Sequence, residues 1–162
     1  MPVIKAADTS DVSLIRNLAL QIWPPTYSHI LSPEQIEYML DMMYSESSLK
    51  EQMQKGSHFV LVYTENEPVG FAAYIKTGNN LYKLDKIYVL SEQQGKGIGK
   101  QMIDHVTDII KNQGATALQL QVNRNNKARQ FYEKLGFSVL YEKDFPIGNG
   151  FVMDDYVMEK KL

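Results

Sequence analysis

The chain has 162 residues, 44% of them hydrophobic, and a net charge of −2 at pH 7, which predicts a single packed domain over residues 1–162 and excludes a largely disordered chain. The lack of cysteine excludes a disulfide scaffold and a thiolate nucleophile, and the balanced charge does not favour nucleic acid as a partner. No apolar stretch reaches membrane-spanning length and no signal peptide is recognisable, so we expect a cytoplasmic protein with no membrane partner.

The first third of the chain predicts one strand followed by helices. Residues 3–7 have the pattern of a short strand, and apolar residues then recur at helical spacing. The expected helical stretches are residues 12–22, ended by Pro24-Pro25, residues 33–43, capped by Ser32, and a turn or two over residues 47–54.

The rest of the chain predicts strands interleaved with helices. The expected strands are residues 59–63, 69–76, 81–90, 118–122, 139–141 and 151–158, and the expected helices are residues 98–110 and 127–135. The last two strands are expected to be joined through residues 146–150. This order favours a single α/β domain with a mixed, mostly antiparallel central sheet of six to seven strands and about four helices.

A glycine-rich segment, QQGKGIGK at residues 93–100, lies between a predicted strand and a predicted helix. Free N–H groups at a helix N-terminus attract anions, and glycines let a ligand approach the backbone. The segment lacks the residues of a Walker A loop, and Lys100 stands where a dinucleotide fingerprint needs its third glycine. It fits the pattern Gln/Arg-x-x-Gly-x-Gly/Ala through Gln94, Gly97 and Gly99. The alternative is a turn that merely connects strand to helix.

Two segments together resemble the GNAT superfamily of N-acetyltransferases. Residues 87–99 are similar to the family's acetyl-CoA-binding motif. Residues 125–137 match the pattern N-x-x-A-x-x-x-Y-x-x-x-G-F at its five defined positions, which are Asn125, Ala128, Tyr132, Gly136 and Phe137. The two motifs occur in the family's order and spacing, and the resemblance covers essentially the whole domain.

The resemblance implies an acetyl-CoA-dependent N-acetyltransferase whose fourth and fifth strands splay apart. The pantetheine arm would lie in the gap, the pyrophosphate on the glycine-rich segment, and an exposed backbone N–H would polarise the thioester carbonyl. The implied cofactor contacts are Tyr88, Val89, Gln94, Gly95, Lys96, Gly97, Ile98, Gly99, Lys100 and Asn125. For Lys96 and Lys100 the alternative is solvent exposure, and for Asn125 it is a helix N-cap.

Two residues are candidates for moving protons during the transfer. Tyr132 occupies the family's general-acid position, and its alternative role is that of a core aromatic residue in an amphipathic helix. Asp85 is expected on the same sheet face as Ile87 and Val89, where some relatives carry a general base. Burying a carboxylate is costly unless it is paired, so the alternatives for Asp85 are an ion pair with a neighbouring lysine and solvent exposure. Many family members use a water chain instead of a single base.

Trp23 and Tyr27 are candidate contacts for the acceptor, because rigid aromatic side chains suit the recognition of amines. Ordinary packing is their alternative role. Asp154 and Asp155 either form local ion pairs or line the mouth of the acceptor site. The histidines are not at metal-ligand spacing, so no metal is expected.

The expected reaction is acetylation of a primary amine on a small molecule, with polyamines as one candidate class. One alternative is a protein or peptide N-acetyltransferase, which would need an open groove. Another is an acyl-CoA-binding module without turnover, which would have no use for an acid at Tyr132. The last strands often support dimers in the family, so a homodimer is also expected.

Overall fold

A seven-stranded sheet forms the centre of the computed structural model, which describes residues 2–162. Its strands are β1 (Val3–Ala7), β2 (His58–Thr64), β3 (Glu67–Gly78), β4 (Leu81–Val89), β5 (Ala117–Asn123), β6 (Ser138–Gly148) and β7 (Phe151–Lys161). They lie in the order β1-β2-β3-β4-β5-β7-β6, and each neighbouring pair is antiparallel except the parallel pair β4 and β5. The mixed, mostly antiparallel sheet is thus confirmed.

Five α-helices lie within residues 2–162, where about four were expected: α1 (Val12–Tyr27), α2 (Pro33–Tyr44), α3 (Glu46–Gln54), α4 (Ile98–Asn112) and α5 (Ala128–Lys134). The extra helix is α3, which has nine residues where a helical turn or two was expected over residues 47–54. Helices α1, α2 and α3 pack on one face of the sheet, and α4 and α5 pack on the other. None of the helices in this part of the chain combines the length and hydropathy of a bilayer span.

Helix α1 continues through Pro24 and Pro25, so the prediction that the prolines end it near residue 22 is wrong. The prolines fall in its last turn, where they remove two amide donors rather than breaking the middle of the helix. The Thr26 hydroxyl donates a hydrogen bond to the Ile22 carbonyl at 2.7 Å, which supports the backbone at this point. Burial of Ile22 and Trp23, each 2% exposed, also favours the continued helix.

Strand β6 is eleven residues long, so the expected short strand over residues 139–141 is wrong in its extent. Most of its side chains are exposed, and therefore show no apolar alternation. The strand forms because it pairs with β7 almost to its end. The connection shrinks to Asn149-Gly150, both with positive φ, which is typical of a tight two-residue hairpin turn.

Apolar side chains form one core on each face of the sheet. The α4-side core includes Val62, Met102, Ile103, Val106, Ile110, Leu118 and Met158. The α1-side core includes Ile15, Ile22, Trp23, Tyr44, Leu49, Phe59 and Phe71. The sheet therefore lies between two helical layers, and the buried strand side chains pack in one core or the other.

Strands β4 and β5 separate near the middle of the sheet, which confirms the expected splay. In the described chain their pairing is confined to Leu81–Lys83 and Ala117–Gln119. Beyond residue 83, β4 remains paired with β3 and β5 remains paired with β7. Backbone groups that would join two central strands are consequently left facing a gap.

A β-bulge at Asp85 marks the start of this separation. Ala73 pairs with Lys86 and Tyr74 pairs with Leu84, so Asp85 is the extra residue on β4. A bulge shifts the alternation of side chains by one position. The expectation that Asp85 shares a face with Ile87 and Val89 is therefore wrong: those residues pack on the α4-side core, whereas Asp85 contacts Lys83 and Lys86 beneath the α1 layer.

Candidate active site

Two hollows meet at the gap between β4 and β5. The small cavity, of about 300 Å³, is lined by residues of α1, α2, α3, β4, β5 and β7. The large cleft, of about 780 Å³, runs from the gap to the N-terminus of α4 and to α5. The residues that line both hollows are Tyr27, Asp85, Lys86, Tyr88 and Gln121. A ligand in one hollow would thus meet a ligand in the other at this junction.

The glycine-rich segment opens helix α4 towards the large cleft. Gly97 is the N-cap, with φ of +80°, and its carbonyl accepts the first helical hydrogen bond from Gln101 at 3.1 Å. The N–H groups of Ile98, Gly99 and Lys100 have no carbonyl partner within the helix at this end, and the helix dipole makes them attractive to anions. A Cβ placed on Gly97 would meet no atom within 4 Å. Gly97, Ile98 and Gly99 also line the large cleft, so a ligand in the cleft can approach this helix end.

Most of the predicted cofactor residues line the large cleft: Tyr88, Val89, Gln94, Gly95, Gly97, Ile98, Gly99 and Asn125. The Gln94 side chain donates to the Val89 carbonyl at 3.1 Å and so fastens the segment to the end of β4. Lys96 and Lys100 lie outside the lining. Lys100 forms an exposed ion pair with Asp104 at 2.6 Å, which matches the solvent-facing alternative.

The amide of Asn125 is available to a ligand. The bond that orders the start of α5 is made by Asn126, whose Oδ1 accepts from the Ala128 N–H at 2.9 Å. Within residues 2–162 the Asn125 side chain makes no hydrogen bond, whereas its backbone N–H donates to Asn123 Oδ1. The N-cap alternative is therefore wrong for Asn125, because the N-cap is Lys127 and the side-chain acceptor near the helix start belongs to Asn126.

Tyr132 lies on α5 and lines the large cleft while being 9% exposed. Its ring packs edge-on against Phe131 and Phe137, at centroid distances of 5.3 and 6.0 Å. Burial raises the pKa of its hydroxyl, and the nearby Tyr27 adds to the effect. The hydroxyl therefore stays protonated at neutral pH and can act as a donor.

The candidate acceptor residues Trp23 and Tyr27 form one wall of the small cavity. Their rings lie 4.6 Å apart, and Trp23 also packs against Tyr44 and Tyr88. The hydroxyls of Tyr27 and Tyr88 are hydrogen-bonded at 2.9 Å. Trp23 is thus both a packing residue and part of the wall, and Tyr27 reaches the junction with the cleft.

Asp85 lies at the junction but is held by two lysines. Its carboxylate lies 2.9 Å from Lys86 Nζ and 3.5 Å from Lys83 Nζ, with 30% of its side chain exposed. Burial by itself would raise its pKa, but the charges of Lys86 and Lys83 outweigh this and lower the pKa below its usual value. A carboxylate stabilised in this way is a weak proton acceptor.

Asp154 and Asp155 take separate roles, although the sequence allows each of them either a local ion pair or a place at the mouth of the acceptor site. Asp154 faces outward and pairs with Arg124 Nε at 2.7 Å. Asp155 is 3% exposed and lines the small cavity. The alternation of side chains along β7 distinguishes the two aspartates, because Asp155 shares a face with the apolar Met153 and Val157.

Gln121 and Lys86 are site residues that the sequence analysis missed. Gln121 follows the predicted alternation of β5, but its side chain lies at the mouth of the gap. Lys86 is buried over the rings of Tyr44 and Phe59. A buried lysine or glutamine cannot be distinguished from an exposed one until the bulge at Asp85 and the splay of the strands are known.

Helix α2 and the β6–β7 hairpin are joined beside the small cavity. Tyr38 donates to the Ile147 carbonyl at 2.6 Å, and Gln35 Nε2 donates to the Val152 carbonyl at 2.9 Å. The rings of Tyr38 and Phe151 lie 5.3 Å apart. These contacts link two walls of the cavity.

Comparison with known proteins assigns this architecture to a family. Residues 28–160 match the family model described as "Acetyltransferase (GNAT) domain". The chain is 27% identical to a spermidine N(1)-acetyltransferase of Thermoplasma acidophilum, over 98% of this chain and 96% of that protein.

Solved structures show the same fold. The PaiA N-acetyltransferase from Thermoplasma acidophilum, in complex with coenzyme A, aligns with a TM-score of 0.85 at 27% identity over 100% of this chain and 99% of that one. The ribosomal-protein-S18-alanine N-acetyltransferase of Escherichia coli shares the fold, with a TM-score of 0.75 at 20% identity over 99% and 94% of the two chains. Together with the splayed sheet and the open helix N-terminus, these matches show that the chain belongs to the GNAT family of acetyltransferases, which use acetyl-CoA.

Proposed function

We propose that the protein transfers the acetyl group of acetyl-CoA to a primary amine of a small molecule, by direct attack while both substrates are bound. The observation that carries this proposal is the junction of the small cavity and the large cleft at Tyr27, Tyr88 and Gln121. An amine in the cavity would meet a thioester in the cleft at that point. Bringing the two together in reacting geometry supplies a large part of the catalysis.

The cofactor would occupy the large cleft. Its pyrophosphate would accept hydrogen bonds from the free N–H groups at the start of α4, and its pantetheine arm would lie in the gap beside Tyr88 and Val89. The Asn125 amide would contact the arm near the same place. Lys96 and Lys100 would act through their charge, by attracting the anionic cofactor to this end of the molecule.

Tyr132 would donate its proton to the sulfur that leaves. The thiolate needs a donor as the carbon–sulfur bond breaks, and the buried hydroxyl is held in its protonated form. A backbone N–H left unpaired by the splay would polarise the thioester carbonyl. A module that only binds acyl-CoA would need neither group, so this arrangement favours turnover.

The walls of the small cavity favour a small acceptor over a protein or peptide. A peptide would need an open groove, whereas the contacts of Tyr38 and Gln35 with the β6–β7 hairpin link α2 to β7 beside the cavity. The volume of about 300 Å³ lies at the lower end of the range for small-molecule sites.

The charge of the small cavity bears on the class of amine. The similarity to a spermidine N(1)-acetyltransferase supports a polyamine. The lining, however, carries Lys83 and Lys86 beside Asp85 and Asp155, so it is not strongly anionic. We therefore expect amines with one or two cationic groups to be better acceptors than longer polyamines.

The test has a binding arm and an activity arm. Acetyl-CoA at about 100 times its Kd is expected to stabilise the fold by about 2.7 kcal/mol, which raises Tm by about 5–10 °C for a chain of this size, whereas NADH and ATP should have a smaller effect. A panel of monoamines, diamines, spermidine and N-terminal peptides, followed by release of free CoA, then identifies the acceptor. An unchanged Tm with acetyl-CoA would exclude the large cleft as a binding site for this cofactor. Turnover of peptides alone would favour the alternative of a protein or peptide N-acetyltransferase.

A cytoplasmic location and a homodimer remain expectations. The exposed Leu140 and Tyr141 on the edge strand β6 supply an apolar surface that supports self-association. Light scattering coupled to size exclusion measures the oligomeric state, and a monomer at micromolar concentration would contradict the dimer.

A further inference from the structure

We infer that Asp155, on the cavity face of β7, is the general base that removes a proton from the acceptor's ammonium group. This inference rests on the proposed transfer to an amine and adds the group that makes the amine nucleophilic. An ammonium has no free electron pair, so it must lose a proton before it can attack the thioester. Sequence analysis pointed to Asp85 for this task, and the structure favours Asp155 instead.

The first support is the position of Asp155. It is 3% exposed and lines the small cavity, where the acceptor would lie. Gln121 Nε2 donates to its Oδ2 at 3.2 Å and fixes the orientation of the carboxylate. Gln121 also lines the large cleft, so Asp155 is one hydrogen bond away from the junction of the two hollows.

The second support is the link between Asp155 and the tyrosines of the junction. Asp155 and Tyr27 both line the small cavity, and Tyr27 and Tyr132 both line the large cleft. Tyr27 is hydrogen-bonded to Tyr88 at the junction. The proposed base thus lies in the cavity that would hold the amine, and the proposed acid lies in the cleft that would hold the thioester.

The third support is the contrast with Asp85. Two lysines neutralise Asp85, whereas none of the ion pairs found within residues 2–162 includes Asp155. A carboxylate without a cationic partner keeps more of its basicity. Of the two cavity carboxylates, Asp155 is the one left free to take a proton.

Charged and titratable groups approach Asp155 from each neighbouring element: Tyr27 on α1, Lys83 and Asp85 on β4, Arg124 after β5, Lys143 on β6 and Asp154 on β7. Burial is the main cause that raises the pKa of Asp155, to about 6, and Asp154 adds to it. The Gln121 hydrogen bond and the charges of Lys83 and Arg124 oppose the rise. Asp155 is therefore ionised at neutral pH and still basic enough to accept a proton.

The proposed transfer removes two protons from the nitrogen and gives one to the sulfur. An ammonium N–H bond breaks and its proton passes to an Asp155 carboxylate oxygen, either directly or through one water. The nitrogen lone pair forms the bond to the acetyl carbon, the carbon–sulfur electrons leave with the sulfur, and Tyr132 gives the sulfur its proton. The nitrogen, now cationic, loses its second N–H proton, which restores the Tyr132 hydroxyl. Asp155 then releases its proton to solvent, so the products are the N-acetyl amine, CoA thiol and one proton.

The experiment compares the dependence of kcat/KM on pH in the wild type and in Asp155→Asn. The wild type should lose activity below about pH 6 because the free enzyme must carry an ionised base. Asp155→Asn should lose this acidic limb and fall roughly 100-fold or more at pH 7.5. Two matched variants should keep the limb: Asp85→Asn, which removes the other cavity carboxylate, and Asp154→Asn, which changes the adjacent exposed one. An acidic limb that survives in Asp155→Asn, or that disappears in Asp85→Asn, would overturn the inference.

A second comparison separates a base from a mere counter-ion or a structural residue. Ethylamine is protonated at pH 7.5, whereas trifluoroethylamine of similar size is largely neutral and needs no base. The loss of kcat in Asp155→Asn should be large with saturating ethylamine and shrink to within a few-fold with trifluoroethylamine. An equal loss with both amines would contradict the role of base, provided that acetyl-CoA raises the Tm of the variant as it does that of the wild type. A wild type that binds acetyl-CoA but acetylates no amine is a different result, and would count against the proposed function itself.

Discussion

Tyr132 combines a donor hydroxyl with an aromatic ring that packs on Phe131 and Phe137. Tyr132→Phe removes the hydroxyl and keeps the packing, so the fold and the affinity for acetyl-CoA should persist. We expect kcat to fall by about 10²–10⁴-fold, the usual contribution of a positioned proton donor. Steady-state kinetics together with thermal unfolding measure the two effects separately.

The control for this variant is a tyrosine that lies outside both hollows. Tyr63 on β2 packs against the α1-side core and is far from the gap, so Tyr63→Phe should leave kcat near the wild-type value. If kcat is equally unchanged in Tyr132→Phe, the hydroxyl does not serve as the acid and Tyr132 is only a packing residue.

Asp155 is also expected to reduce the stability of the fold at neutral pH. Its pKa rises from 3.8 to about 6 because it is buried, so the folded protein holds this proton more tightly than the unfolded chain does. The stability that the protonated carboxyl confers is fully present below about pH 4 and is lost as pH rises through about 6. Asp155→Asn keeps an oxygen that can accept from Gln121 but carries no charge.

The free energy of unfolding of Asp155→Asn should therefore exceed that of the wild type at pH 7.5, by at most about 3 kcal/mol. The difference should nearly vanish at about pH 3, where the wild-type carboxyl is largely protonated in both the folded and the unfolded state. Urea unfolding at the two pH values measures it. A variant that is less stable than the wild type by the same amount at both values would show that the carboxylate is not destabilised by burial.

The two cavity carboxylates show what residue-level reasoning from sequence can and cannot reach. Tyr132 is predictable because a motif of fixed spacing defines its position on α5. For Asp85 the sequence offers an ion pair with a neighbouring lysine as one alternative, and the structure shows this pair, but the face of β4 that Asp85 occupies depends on a bulge that the sequence does not reveal. Asp155 carries a usable signal, since an acidic residue interrupts the apolar face of Met153 and Val157, but only the fold shows that this face borders a cavity.

The N-terminus of α4 is the element that would bind the pyrophosphate. Gly97 has a φ of +80°, has open space around its missing Cβ and lines the large cleft, so Gly97→Val would both strain the backbone and add a branched side chain at the wall of the cleft. We expect at least about a tenfold loss of acetyl-CoA affinity, equivalent to about 1.4 kcal/mol. Isothermal titration calorimetry measures the affinity.

Gly56 offers a matched control, because strain alone would also destabilise the fold. It has a φ of +105°, no atom within 4 Å of a Cβ, and a position just after α3, outside both hollows. A β-branched residue at either glycine should cost about 1–2 kcal/mol of stability. Gly56→Val should nevertheless bind acetyl-CoA normally, and an equal loss of affinity in both variants would mean that strain, rather than occlusion, is responsible.

Elements with a strong local pattern are predictable from sequence, and those formed by pairing are not. Helix α4 begins and ends close to its predicted bounds because its apolar residues recur on one face and glycines flank it. Strand β6 is underestimated because its middle residues, such as Glu142 and Lys143, are exposed and polar. Helix α1 passes through Pro24-Pro25 because the burial of Trp23 outweighs the local cost of two missing donors.

At the scale of the whole molecule, the sheet consists of two parts joined over a short stretch. The part from β1 to β4 meets the part from β5 to β7 through the pairing of Leu81–Lys83 with Ala117–Gln119. The α4-side core bridges the two parts, since it contains Val62 from one and Leu118 and Met158 from the other. The molecule can therefore leave its central strands unpaired at one end without losing its core.

This architecture predicts that acetyl-CoA reduces exchange of the amides that face the gap. In the free protein, gap-facing amides of residues 84–89 and 120–123 lack a partner strand and should exchange quickly. A pantetheine arm that pairs with the strand edge should slow their exchange by about tenfold or more. The amides of residues 81–83 and 117–119 already lie where β4 and β5 pair, and serve as an internal reference. Hydrogen exchange read by NMR, with ATP as a control that carries a nucleotide but no pantetheine, measures the effect. Protection that is confined to residues 93–100, or that is the same with ATP, would mean that the arm does not enter the gap.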